Sequence, residues 1–280
     1  MNAYSIRKAT RDDLATMASW AMDEGWNPGL SDMTAFHAAD PDGFFVGEMG
    51  GTIVSSISAV RYDRTFGFVG FYIVRPEYRG KGFGLAIWNK ALEHLGDIPS
   101  GLDGVVAQQD NYRRSGYAYA HANHRYGGIA PQVDGNGITV DLHMVPFDQI
   151  WDYDEAITGY PRASFLRAWL DMDGANERAI VRDGKVCGYG AIRPSRHGHR
   201  IGPLFADTPS DADSLFRSLC SGIVGKDVFL DVPATNADAV ALARRYGMEP
   251  AFETARMYKG SVVRYPDMGH TYGITSFELG

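Results

Sequence analysis

Residues 67–74, GFVGFYIV, are apolar at nearly every position and rich in β-branched and aromatic side chains, the pattern of a strand buried on both faces. The character breaks at RPEYRGKGFG. Beyond it Leu85, Trp88, Leu92 and Leu95 recur at helical steps before Gly96, which predicts an amphipathic helix and its stop. The segment therefore reads as strand, glycine loop, helix. Upstream, YSIRKAT at 4–10 predicts a first strand, and Thr10 with Asp12 and Asp13 predicts the cap of a helix carrying Leu14, Met17 and Ala21. Residues 43–63 predict two strands around Gly50 and Gly51, and GVVAQQ at 104–109 predicts a further strand, followed by about one helical turn around Tyr112.

The second half repeats this order. ERAIVRDGKVCGYGAIRP at 177–194 predicts a hairpin, and HRIGPLFAD at 199–207 takes the place of GFVGFYIV. SDADSLFRSLCSG is a capped helix with Leu215, Phe216 and Leu219 inward, KDVFLDVP is the next strand, and NADAVALARRYGM closes the series. WDYDEA at 151–156 reads as a solvated helix start. The tail YGITSFELG has Ile274, Phe277 and Leu279 as apolar positions, and is expected to return to the first half, which is short of strands after Gly127. The expected organisation is two α/β domains, residues 1–130 and 146–280, joined by a linker at 131–145.

Composition narrows the partners. The 280 residues are 45% hydrophobic and 22% charged, an ordinary soluble composition, and the net charge is -7. No basic run is long enough to neutralise a phosphate backbone, the nearest being NYRRSGY at 111–117, which argues against nucleic acid. The polar N-terminus and the lack of a run of roughly 18 apolar residues give no signal peptide and no membrane span. Cys187 and Cys220 lack CxxC spacing and fit a reducing compartment, so a cytoplasmic monomer or homodimer is expected. His197 and His199 have His-x-His spacing but no nearby Cys or Glu partners, so no metal is expected.

A glycine loop between strand and helix lets backbone N–H groups converge on an anion. Lys81 is followed by Gly82 rather than Ser or Thr, which rules out the P-loop, and Gly80, Gly82 and Gly84 miss the G-x-G-x-x-G register of dinucleotide sites. What remains, Arg79-x-x-Gly82-x-Gly84 after Val74-x-Pro76, resembles the pyrophosphate loop of the GNAT acetyltransferases. That resemblance implies acetyl-CoA as cosubstrate, held by Arg79, Gly80, Lys81, Gly82, Phe83 and Gly84. It further implies that amide N–H groups around Ile73 and Val74 hold the thioester carbonyl. Tyr112, four residues before Gly116 and Tyr117, would be the acid for the leaving sulfur. The implied fold is a twisted, mainly antiparallel mixed sheet flanked by helices. The second half resembles the family as well, but Asp207 and Asp211 replace the loop glycines and Ala243 stands where Tyr112 does, so the coenzyme is expected only in the first domain. RASFLRAWL, GYGAIRP, IGPLFAD, DVPATN, RMYKG and the tail resemble the tandem YitH-like acetyltransferases across nearly all of the chain.

The expected activity is acetyl transfer to an amine, with a small cationic acceptor ahead of a protein lysine or N-terminus. A non-catalytic acetyl-CoA sensor is the alternative from outside the enzymes. An amine must lose its proton before attack, yet GFVGFYIV carries no carboxylate. Tyr72, Asp63, His121 and His124 are candidate bases, and none is singled out by its surroundings in the sequence.

Overall fold

The computed structural model describes residues 3–133, 137–262 and 264–280. The first half runs β1 (Tyr4–Lys8), α1 (Arg11–Asp23), α2 (Asp32–Ala39), β2 (Phe44–Met49), β3 (Thr52–Tyr62), β4 (Phe66–Val74), α3 (Phe83–Leu95), β5 (Ser100–Val105), α4 (Gln109–Arg114) and β6 (Ala118–Ile129). The second runs β7 (Val140–Asp141), α5 (Phe147–Thr158), α6 (Ala163–Leu170), β8 (Asn176–Arg182), β9 (Lys185–Pro194), β10 (His199–Ala206), α7 (Pro209–Cys220), β11 (Asp227–Pro233), α8 (Ala237–Arg245), β12 (Glu249–Lys259) and β13 (Thr271–Gly273). Residues 134–136 of the expected linker lie outside the described residues.

A side-chain cap starts α1 where the sequence suggests, whereas the cap of α7 lies just ahead of the expected SDADSLFRSLCSG. Thr10 and Asp13 form a reciprocal capping box on α1, while Thr208 and Asn236 accept backbone N–H groups at the starts of α7 and α8. Three expectations need correction. Leu85, expected inward, is 64% exposed, because the buried stripe of α3 is Ile87, Trp88, Ala91 and Leu95. At 100° per residue Leu85 sits about 105° from the centre of that stripe. The strand expected at 104–109 spans Ser100–Val105 instead, and Val106–Gln108 is a 3-10 turn. Small polar Ser100 and Gly101 concealed the strand's start. Finally, WDYDEA is not a solvated helix start: it lies within α5, and its Asp154 is fully buried, accepting from Arg162 at 2.7 and 2.8 Å and from the Tyr189 hydroxyl.

Among the described residues one 13-stranded sheet contains both halves, in the order β1-β2-β3-β4-β5-β12-β6-β11-β10-β9-β8-β7, with β13 beside β10. All neighbours are antiparallel except β4 with β5 and β10 with β11. The last strands are exchanged: β12 lies between β5 and β6, and β6 lies between β12 and β11. Each half thus completes the other's sheet, and β12 occupies the place left short of strands after Gly127. The core is shared too, with Phe36 of α2 stacked on Phe165 and Trp169 of α6. Buried ion pairs Arg193–Asp32 and Arg125–Asp231 tie elements of the two halves together.

The tail does not add a strand to the first half. Its β13 pairs with β10, and the residues that follow turn into the first half's interior, where the Tyr62 hydroxyl donates to the Leu279 carbonyl at 2.9 Å.

Candidate active site

The two parallel strand pairs set up two comparable wedges, and the chain treats them differently. β4 and β5 pair only from Gly67–Ser100 to Val69–Leu102, although β4 continues to Val74 and β5 to Val105. Their free ends diverge around a cleft of about 440 Å³. β4 is irregular where it parts from β5: Phe71 has φ +48°, its register against β3 shifts, and Ser56 Oγ donates to the Phe71 carbonyl. In the second half β10 and β11 pair from His199–Val228 to Ile201–Leu230 and then part as well. There the wedge is filled by the chain's own tail, with β13 on β10 and the Ile274 N–H donating to the Asp231 carbonyl. A Cβ on Gly202 would overlap the Ile274 and Thr275 carbonyls, so glycine is required for that plug.

At the wide end of the first cleft lies the glycine loop. Gly82 is the N-cap of α3 at φ +85°, a conformation other residues adopt only under strain, and Gly80 and Gly82 face open space. No side chain caps α3, which leaves amides of its first turn free for an anion, as they are not at α7 where Thr208 takes one. Ile73, Val74, Arg79, Gly80, Gly82, Gly84 and Tyr112 all line the cleft. Two expected residues do not. Phe83 stacks on Tyr4 with centroids 4.4 Å apart, and Lys81 lies over the Tyr78 ring with its ammonium donating to the Glu77 carbonyl. Arg79 is tethered by its Nε–H to the Val74 carbonyl and paired with Glu24 at 2.7 Å, which holds a cation beside the loop.

Tyr112 is buried against Trp88, and Gly104 of β5 makes room for its ring, which a Cβ there would overlap. Its hydroxyl has no hydrogen-bonding partner among the described residues, and burial pushes its pKa well up, so it stays protonated. A neutral phenol in a cleft is suited to giving a proton rather than taking one.

Of the candidate bases only Tyr72 lines the cleft, and burial raises its pKa as well. Asp63 sits in the β3–β4 turn, facing a separate depression of about 840 Å³ that holds none of the expected site residues. His124 lies on β6 within 3.8 Å of Glu253, and His121 on the same strand is pushed down to about 4 by burial and by Arg256. The cleft's carboxylates are others: Glu24 beside Arg79, Asp103 held by Arg256 and Asn123, and Glu278 from the tail. An acidic residue set between the apolar Phe277 and Leu279 was the signal in the sequence that could have found Glu278.

A parallel strand pair splayed around a cleft and followed by a glycine-loop helix start defines the class, a tandem GNAT fold with one wedge open. Residues 11–119 match the acetyltransferase (GNAT) family and residues 150–273 an acetyltransferase (GNAT) domain. Holothin acyltransferase of Pseudoalteromonas sp. (strain SANK 73390) is 32% identical over 279 residues, covering 99% of this chain and 95% of that protein. The chain belongs to the GNAT acyltransferases. Among solved structures, a Pyrococcus horikoshii protein of the acetyltransferase class superposes with TM-score 0.85 at 22% identity, over 100% of this chain and 97% of that one. A tandem GNAT protein from the clavulanic acid biosynthesis pathway has TM-score 0.62 at 15% identity, over 92% and 98%. Among the described residues no helix is long and apolar enough to cross a membrane, and no group of three or more His, Cys, Asp or Glu is placed to hold a metal ion.

Proposed function

We propose that the protein transfers an acetyl group from acetyl-CoA to an amine of a small cationic molecule, in the cleft between β4 and β5, as a member of the YitH-like tandem GNAT proteins. The observation that carries this reading is the contrast between the wedges: one is open beneath free helix-start amides, and the other is filled by the tail. The residues fit the donor. Arg79 and the amides at Gly80, Gly82 and Gly84 would take the diphosphate, and N–H groups near Ile73 and Val74 would take charge developing on the carbonyl oxygen. Lining by the tail and by Trp26, Phe252 and Phe277 gives an acceptor space that suits a small molecule better than a protein chain. The name of the 32% identical relative points the same way. Two unpaired cysteines suit the cytoplasm.

Calorimetric titration with acetyl-CoA tests this. One site per chain is expected, and Gly82→Asp, which puts a carboxylate where the diphosphate would lie, should weaken it at least about 100-fold. Two sites, or none, would sink the reading. For Tyr112→Phe the expected result is a fall in kcat of about 100-fold with acetyl-CoA affinity and Tm unchanged, since the hydroxyl bonds to nothing else among the described residues. Equal turnover by the two proteins would remove Tyr112 from the reaction.

A further inference from the structure

The Glu278 carboxylate is held by no structural hydrogen bond among the described residues. It is 2% exposed, it lines the open cleft, and neither carboxylate oxygen has a hydrogen-bonding partner among the described residues. A buried carboxylate left in that state is costly unless something else is meant to meet it. Its backbone is held firmly. The Leu279 N–H donates to Ser276 Oγ, the Gly280 N–H donates to the Ser276 carbonyl, and the Glu278 carbonyl rests on β4 at Gly70, where a Cβ would overlap it. Gly70 is the first residue of β4 beyond the last pair with β5, so the carboxylate enters the cleft near the point of the wedge. The phosphate loop begins beyond Val74, on the order of 10 Å further along the strand. An acyl group reaching in from a diphosphate on that loop would thus head toward Glu278.

Its charged neighbours come from β6, β9, β10, β11 and α2, while β4 contributes none. Arg200 of β10 is 3.8 Å away, and Arg125 of β6 and Arg193 of β9 also act on it, as do the acids Asp231 of β11 and Asp32 of α2. The arginines are engaged elsewhere: Arg200 and Arg125 hydrogen-bond Asp231, and Arg193 bonds Asp32 at 2.6 Å. With three cations and two other acids, Glu278 balances the cluster without being hydrogen-bonded into it.

We propose that Glu278, carried from the second half into the first half's cleft by the C-terminal tail, is the group that binds the acceptor ammonium and removes its proton. The inference rests on the acyltransferase reading above. One proton passes from the ammonium to a Glu278 oxygen. The nitrogen lone pair then forms the N–C bond, and the C–S bonding pair leaves on sulfur, which takes the Tyr112 proton. The second N–H proton restores the phenol, and the proton on Glu278 is lost to solvent. Burial raises the carboxyl pKa against the pull of Arg200 and Arg125, which makes it a stronger base than an exposed glutamate.

Two nucleophiles test the assignment at pH 7: tyramine, protonated there, and hydroxylamine, already neutral. Coenzyme A release from acetyl-CoA is followed for the wild type and Glu278→Gln, with calorimetric acetyl-CoA binding as the control for folding and for the donor site. The expected result is unchanged binding, a loss of at least about 100-fold with tyramine and a loss within about threefold with hydroxylamine. On the acid side, the wild-type kcat/KM for tyramine should fall through one ionisation that the variant lacks. The Tm of Glu278→Gln should hold or rise, because a group whose folded pKa is raised disfavours folding above its unfolded pKa. Equal losses with both nucleophiles, or none with either, would overturn the proposal. Absent acetyl-CoA binding to the wild type, or binding without release to either nucleophile, would instead remove the acyltransferase reading on which it stands.

Discussion

A chain ending before residue 271 should fail to fold cooperatively, with insoluble expression or no sharp melting transition as the result. The tail resembles a short exposed appendage only in sequence position. Tyr272, Ile274, Phe277 and Leu279 are all buried, and at about 1.5–3 kcal/mol each their burial amounts to roughly 6–12 kcal/mol. That is comparable with the whole stability of a typical domain. Removing them also opens the β10–β11 wedge, strips the Thr275 hydroxyl from Arg162 at 3.0 Å, and takes from Asn236 one of its carbonyl acceptors, Thr271. Calorimetry or a denaturant melt checks this. A soluble truncation with Tm within about 5 °C of the full chain would mean the tail is peripheral to the fold.

Asp231→Asn is the second change expected to be severe. Asp231 is buried on β11 and accepts from Arg125 of β6 at 2.7 and 2.9 Å and from Arg200 of β10. One carboxylate therefore hydrogen-bonds two buried guanidinium groups and joins the first half's exchanged strand to the second half. An amide keeps the shape but leaves those cations underpaired, at about 3–5 kcal/mol and a Tm fall on the order of 10 °C. The acid dependence has a definite sign. Burial pushes the Asp231 pKa up, but Arg125 and Arg200 hold it down at about 2, below its unfolded value. Its contribution is then present above pH ~4 and is lost as pH falls toward 2. Wild type and variant should accordingly converge in stability at the acid end of that window, and a constant gap down to pH 2 would show that shape rather than charge is at work.

Several features of the site were legible because they are written locally. The apolar run at 67–74, the glycines after it and the cap at Thr10 each act within a few residues, and the structure has β4, the loop and α1 there. Tyr112, named through the family resemblance, lines the cleft. Leu85 was misread because a leucine at helical spacing carries no mark of whether it faces the core or the rim of a cleft.

The sequence by itself determined the strand, glycine loop and helix of residues 66–95, the capped first helix and the repeat of that order in the second half, since hydrophobic period, capping and glycine backbone freedom operate over one or two turns of chain. Only the tertiary structure decided the pairing. β6 and β12 are both long strands that start exposed and become buried, both accept antiparallel neighbours, and nothing local states that β12 joins β5 while β6 joins β11. It also decided that the tail fills one wedge and delivers Glu278 to the other. That placement depends on contacts between residues about 200 positions apart, such as Gly70 with Glu278, whose energy exists only once both are folded.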